Sequence, residues 1–122
     1  MSVPLATLHD EWHGPVAIVR LNGQVDASNA DVIGVRLRRI LTNHARGLVL
    51  DLRETTYLDS AGINVLFALG AEMRSRQQAL RLVVAEGAPI ARMLAITTLD
   101  RSFPAHATLD AAVEDASAAG DS

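Results

Sequence analysis

The sequence predicts an α/β domain built on a four- to five-stranded mixed β-sheet flanked by about four helices. Three observations lead there. Short apolar runs of strand length alternate with stretches of helical apolar periodicity, an order that builds largely parallel sheets with helices packed against them. Glycine and proline signals fall between those runs, with no internal repeat and no linker. At 122 residues, 49% hydrophobic and 20% charged, the chain has the size and apolar content of one domain with a substantial core.

Taken in order, Val3 to Trp12 reads as an irregular strand and Val16 to Leu21 as a second, with His13-Gly14-Pro15 as the turn of a hairpin. After Asn22 to Asp26, Ser28 is placed to cap a helix, and Asp31 three residues on makes a near match to a capping box. Ile33, Leu37, Ile40 and Leu41 share a face of that helix, with Arg36, Arg38 and Arg39 mostly off it. The helix ends near Asn43 to Gly47. Leu48 to Leu52 is an almost continuous apolar run, as suits a strand covered on both faces.

The chain leaves that strand through a loop, Arg53 to Leu58, and a second helix opens at Asp59-Ser60-Ala61-Gly62. Val65, Leu66, Leu69 and Met73 share its face, and Gln77 and Gln78 mark a polar exit. Leu80 to Ala85 is another buried-type strand, and Gly87-Ala88-Pro89 opens a third helix with Ile90, Met93, Leu94 and Thr97 at helical spacing. Phe103 begins a short edge strand in this reading. Thr108 caps a last helix whose apolar stripe is Leu109, Ala112, Val113 and Ala116. One domain is expected over residues 1–116, with 117–122 as a small, polar, disordered tail.

Charge and composition narrow the function. A net charge of −3 gives no overall pull toward phosphate backbones or anionic lipid, so nucleic acid and membrane surfaces are not expected partners. Aromatics at 3% leave no interleaved rings and cations for stacking bases. The absence of cysteine excludes disulfides, thiolate metal sites and thiol nucleophiles. Met1 to Pro15 carries Asp10 and Glu11 and no apolar run, so no signal peptide is expected; nor does any stretch reach transmembrane length, and a cytoplasmic protein is the expectation. His9, His13, His44 and His106 lack ligand spacing, and no metal or other cofactor is expected.

In an α/β sheet, sites collect where loops leave the C-terminal ends of strands, and Ser60 falls at such a place, at the start of a helix. A phosphate on it adds a charge of about −1.5 to −2 at neutral pH, comparable with that of the whole chain. The free N–H groups of the helix start favour that phosphate and neighbouring Asp59 opposes it, so the fold survives while an interface pressed against the helix start changes. The commoner role of a serine so placed is a helix cap. Asp59 is an equally good cap, and would leave Ser60 at the first helical position with its hydroxyl exposed. Gly62, lacking a side chain, offers a partner close approach to the backbone, and Asp26 is either a solvated loop carboxylate or an early helix cap, or else part of a partner interface.

Leu50-Asp51-Leu52 followed by Tyr57-Leu58-Asp59-Ser60-Ala61-Gly62 resembles the phosphorylation-site signature of the STAS domain, shared by sulphate transporters and anti-sigma-factor antagonists. Leu21-Asn22-Gly23-Gln24-Val25-Asp26 is similar to the family's earlier Gly-x-apolar-Asp motif, and the element order agrees from about Val3 to about Val113. The resemblance implies that Ser60 is phosphorylated by an anti-sigma factor that is also a kinase. It further implies that the unphosphorylated form binds that kinase and frees a sigma factor, and that a phosphatase resets the switch. Asp59 and Gly62 then shape the acceptor loop, Gly23 and Asp26 lie on the neighbouring loop, and ATP and magnesium belong to the partner. One departure is Thr97-Thr98, where family members often carry a glycine just after the third helix.

Other readings are open to the same residues. A non-phosphorylated scaffold subunit of a stress-signalling or lipid-transport complex fits the same family. A small hydrolase built on Ser60, a histidine and Asp51 fits poorly, because Asp59-Ser60-Ala61-Gly62 lacks the glycine that a nucleophile elbow needs before its serine. Gly14, Gly23, Gly34 and Gly47 are isolated, so no phosphate-cradling loop is present, and no enzymatic activity is expected. Ile63 and Phe67 lie partly off the main face of the second helix, either as further core or as a patch for a partner.

Overall fold

In the computed structural model, which describes residues 4–41, 44–97 and 102–119, the chain opens with a hairpin of β1 (Ala6–His13) and β2 (Val16–Val25). His13 pairs with Val16 across a two-residue turn in which Gly14 takes a φ of 56°, and glycine followed by proline suits the turn that continues strand twist. Then follow α1 (Ala30–Leu41), β3 (Gly47–Asp51), β4 (Thr55–Leu58), α2 (Ser60–Ser75), β5 (Ala79–Val83), α3 (Pro89–Ile96), β6 (Ala105–His106) and α4 (Leu109–Ala119).

Among the described residues, six strands form one sheet in the order β1-β2-β3-β5-β6, with β4 also paired to β2. The β1–β2 ladder is antiparallel and the others are parallel, so the sheet is mixed as expected. The strand beyond the predicted count is β4, read from sequence as a loop. Leu52 stays in the sheet by donating its N–H to the Val83 carbonyl oxygen at 2.8 Å. Gly23 N–H then donates to the Glu54 carbonyl oxygen, which draws Thr55 back along β2. A register shift between Gly23 and Gln24 absorbs the added length. Phe103 is not in a strand: its ring is buried, 6.2 Å from that of Phe67, and β6 starts two residues later.

Side chains alternate across the sheet. Ala17, Val19, Leu21, Leu48, Leu50, Leu80 and Leu82 form the main core with Ile33 and Leu37 of α1, Leu66 and Leu69 of α2, and Ile90 and Leu94 of α3. Ile63 is buried in that core and Phe67 packs on it, so both serve as core. On the other face Val16, Ile18, Val49 and Val83 pack against Ala112, Val113 and Ala116 of α4, the predicted stripe, and Thr108 Oγ1 accepts from Ala111 N–H at 3.2 Å as its cap. Because α4 runs to Ala119, Ser117 to Ala119 are helical rather than part of a tail; residues 120–122 lie outside the described ones.

Two helix ends depart from glycine rules. Gln77, at a φ of 60°, ends α2, with Gln77 N–H donating to the Arg74 carbonyl oxygen and Gln78 N–H to that of Met73. Thr97 ends α3 in an ordinary right-handed conformation, its hydroxyl reaching the Met93 and Leu94 carbonyl oxygens at 3.1 Å. A hydroxyl thus satisfies carbonyls that a glycine turn would otherwise serve; Thr98 lies outside the described residues. Among those residues no helix is long and apolar enough to cross a membrane.

Candidate functional site

The site is built where β2 and β4 end side by side. Val25 and Leu58 are register partners, so Asp26 and Asp59, the next residues of each strand, open two adjacent loops. Asp59 N–H donates to the Val25 carbonyl oxygen at 3.1 Å, which ties the start of α2 to the end of β2.

Of the two candidate caps, Asp59 takes the role. Its backbone is extended, its Oδ1 accepts from Gly62 N–H at 3.1 Å, and its carbonyl oxygen accepts from Ile63 N–H at 3.0 Å. Ser60 is therefore the first residue of α2, and it is exposed. A phosphate there meets the positive end of a sixteen-residue helix and the Asp59 carboxylate together.

Asp26 braces its own loop. Its carboxylate accepts from Ser28 Oγ at 2.5 Å and Ser28 N–H at 2.8 Å, and these bonds hold its pKa below the ordinary aspartate value. Asn29 completes the loop, accepting from Asp26 N–H and donating to the Gln24 carbonyl oxygen, both at 2.9 Å. The prediction that Ser28 caps α1 is thus corrected: its hydroxyl is spent on Asp26, and α1 begins only at Ala30. An Asx turn competes locally with capping, and here it wins.

Both glycines face inward. A Cβ on Gly62 would sit 3.0 Å from Val25 Cγ1 and 3.3 Å from Leu58 Cδ2, so the close approach offered at this position is filled by the chain's own strands. Gly23 has a φ of 103°, and a Cβ there would lie 2.4 Å from the Leu5 carbonyl oxygen. Asp59, Ser60 and Asp26 are brought to one surface, while Gly23 and Gly62 set the backbone beneath it.

Sequence reasoning missed two features. Val32 and Val35 of α1 are 61% and 47% exposed, and a groove lined by Asp31, Val35, Ala61, Asn64, Val65 and Ala68 runs between α1 and α2 from beside Ser60. The signal was available, since both valines lie off the Ile33–Leu37 stripe. The other is the arginine clamp on Asp51, a residue the sequence marked only as part of the signature and of a hydrolase reading; it ends β3 and is only 1% exposed. It accepts from Arg53 N–H, Nε and Nη2 at 3.1, 2.9 and 2.7 Å, with Arg20 Nε 3.7 Å away. Burial pushes its carboxyl up, but the Arg53 hydrogen bonds and the Arg53 and Arg20 charges outweigh that and hold it below the usual value.

That clamp spends the acid a Ser60-His-Asp51 relay would need to orient its base. His106, in turn, is bonded to Asp115 at 2.7 Å beneath α4. Among the described residues no group of three or more His, Asp or Glu side chains is placed to hold a metal ion.

The site is thus an exposed serine at a helix start, beside a second strand-end loop, on a mixed sheet with three helices on one face. The chain belongs to the STAS domain family, whose model matches residues 9–116. It is 26% identical over 98 residues to the anti-sigma-F factor antagonist RsfB of Mycobacterium tuberculosis, covering 80% of this chain and 78% of that one. It is 28% identical over 96 residues to an anti-sigma F factor antagonist of Paenibacillus polymyxa, covering 77% and 80%. A crystal structure of an anti-sigma factor antagonist from Mycobacterium paratuberculosis superposes with a TM-score of 0.82 at 27% identity, covering 96% of this chain and 99% of that one.

Proposed function

We propose that this protein is an anti-sigma-factor antagonist, a protein-binding switch set at Ser60. Unphosphorylated, it sequesters an anti-sigma-factor serine kinase and so frees a sigma factor. A phosphate on Ser60 ends that contact, and a phosphatase restores it. The nucleotide and magnesium are the kinase's own, and the exchange takes place in the cytoplasm.

The observation that carries this reading is that Asp59, not Ser60, caps α2, so that Ser60 stands exposed at the first helical position. A serine used as a cap has its oxygen turned into the helix; this one is open to a kinase. The partner surface of the proposal is Ser60 with Asp59 and Asp26, shaped from beneath by Gly23 and Gly62 and continued by Val32 and Val35. Burying a dianion against an apolar partner surface is costly unless it is paired, which makes the phosphate an effective release signal.

The test is intact-mass analysis after incubation with ATP, magnesium and each anti-sigma-factor kinase of the same genome, with Ser60→Ala alongside. One added phosphate on the wild type and none on the variant is expected. A kinase that binds the protein yet adds no phosphate would instead mark it as a non-phosphorylated scaffold.

A further inference from the structure

β1 lies at the edge of the sheet, and among the described residues it pairs with β2 alone. Gln24 N–H donates to the Leu5 carbonyl oxygen at 3.0 Å. Hydrogen-bonding direction alternates along an antiparallel strand, so Thr7, His9, Glu11 and His13 turn their backbone groups to β2, whereas Ala6, Leu8, Asp10 and Trp12 turn theirs outward. Edges that stay single are blunted by proline, lysine, a bulge or shortness. β1 has eight residues, no proline and no lysine, and its register runs unbroken from Ala6–Gly23 to His13–Val16. The same outward-facing residues carry an incompletely covered apolar row. Ala6 and Leu8 pack on the main core, and Trp12, opposite Ala17, stands on their face of the sheet with 41% of its surface exposed.

We infer that this edge pairs with the same edge of a second copy of the chain, antiparallel about a two-fold axis at His9, joining two sheets into one. Only outward-facing residues can exchange hydrogen bonds, which leaves few registers, and charge selects among them. Centred on Asp10, the pairing sets two carboxylates face to face. Centred on Leu8, it leaves Trp12 opposite a residue that precedes the partner strand. Centred on His9, it runs from Ala6 to Trp12 of both copies and opposes no carboxylate to another: Leu8 meets Asp10, Thr7 meets Glu11, and each Trp12 ring lies beside the methyl group of Ala6 from the other copy. The second copy therefore brings a strand of the right length and a cover for the exposed indole. The opposite edge of the sheet, β6, has only two residues, so the pairing closes as a dimer rather than propagating. The inference is independent of Ser60, and its tests need no kinase.

The chain has no cysteine, so single cysteines report the register directly. About the proposed axis His9 faces His9 as a non-hydrogen-bonded pair, with Cα atoms about 4.5 Å apart, within the span of a disulfide. Mild oxidation of His9→Cys should give a covalent dimer on a non-reducing gel. Thr7→Cys and Glu11→Cys, exposed on the same face, should stay monomeric when oxidised singly and cross-link when mixed. The wild type should show concentration-dependent dimerisation by analytical ultracentrifugation. Asp10→Pro removes an N–H that β2 does not use and should raise the dimer Kd about tenfold or more, with circular dichroism unchanged. Three outcomes would overturn the proposal: a wild type that stays monomeric, which would leave the edge to a strand of another protein; a folded Asp10→Pro that dimerises as tightly as the wild type; or Thr7→Cys or Glu11→Cys alone cross-linking as well as His9→Cys. The cysteine series decides the matter if Asp10→Pro fails to fold.

Discussion

Asp59 donates its backbone N–H to the carbonyl oxygen of Val25 at 3.1 Å, so the residue that caps α2 is also fastened to the end of β2. Ser60, one residue on, and Asp26, one residue after Val25, are therefore held on a common platform rather than on independent loops. A phosphate on Ser60 changes the charge of that platform more than its shape.

Ser60→Glu is accordingly expected to leave stability within about 0.5 kcal/mol of the wild type, because the position is exposed and an acid at a helix start is tolerated. If the proposed switch operates, binding to the anti-sigma-factor kinase should weaken strongly in Ser60→Glu, while Ser60→Ala keeps it. Urea denaturation with calorimetric titration reads both; a substantially less stable Ser60→Glu would mean that the side chain packs inside the fold.

Asp59→Ala removes the acceptor of Gly62 N–H, a buried donor, and should cost about 1 kcal/mol. Asp59→Asn keeps a side-chain oxygen in place and should recover most of that loss. Equal losses in the two variants would show that the charge, not the hydrogen bond, carries the effect.

Acid should unfold the protein through its clamped carboxylates. Asp51 is held below its ordinary pKa by Arg53 and Arg20. In Asp115 burial pushes the carboxyl up, but the His106 hydrogen bond, the Arg81 ion pair at 3.0 Å and their charges bring it below the usual value. A depressed folded value means stability present above the unfolded value, about 3.9 for aspartate, and lost as pH falls through the folded one. Urea midpoints measured from pH 7 down to pH 3 should drop most steeply below about pH 4. Asp51→Asn should be less stable at pH 7 by about 1–3 kcal/mol, since it weakens charge-assisted bonds to Arg53, and should show a shallower acid decline.

Gly70 of α2 faces the Phe103 ring with no room for a side chain. A Cβ there would fall 1.9 Å from Cζ of Phe103, which is 6% exposed. Gly70→Ala should cost about 1–3 kcal/mol by forcing that ring aside, read as a lowered Tm. Adding Phe103→Leu should return part of the loss; no recovery would locate the strain elsewhere.

Much of the fold was legible residue by residue. Gly14-Pro15 specified the hairpin turn, the Ile33–Leu37 spacing specified α1, and the Leu48–Leu52 run specified a strand with both faces covered. Thr108 and the Leu109–Ala116 stripe specified the last helix. Each is a local property, set by side-chain periodicity and by which backbone angles a residue tolerates. The site was legible as a stretch of chain, Asp59 to Gly62, but not in its division of labour.

Alone, then, the sequence determined the elements, their order and the place of Ser60 at a helix start. Only the tertiary structure decided that Thr55 to Leu58 is a strand, because four residues, Thr-Thr-Tyr-Leu, are too short to show an alternation of apolar and polar positions. Its pairing depends on bonds such as that from Thr55 Oγ1 to the Leu21 carbonyl oxygen, across 34 residues. The same pairing turned Gly62 inward onto Val25 and Leu58, and it set Asp26 and Asp59 side by side. Periodicity is written in near neighbours, whereas these relations exist only once distant backbone groups, removed from water, must find one another as partners.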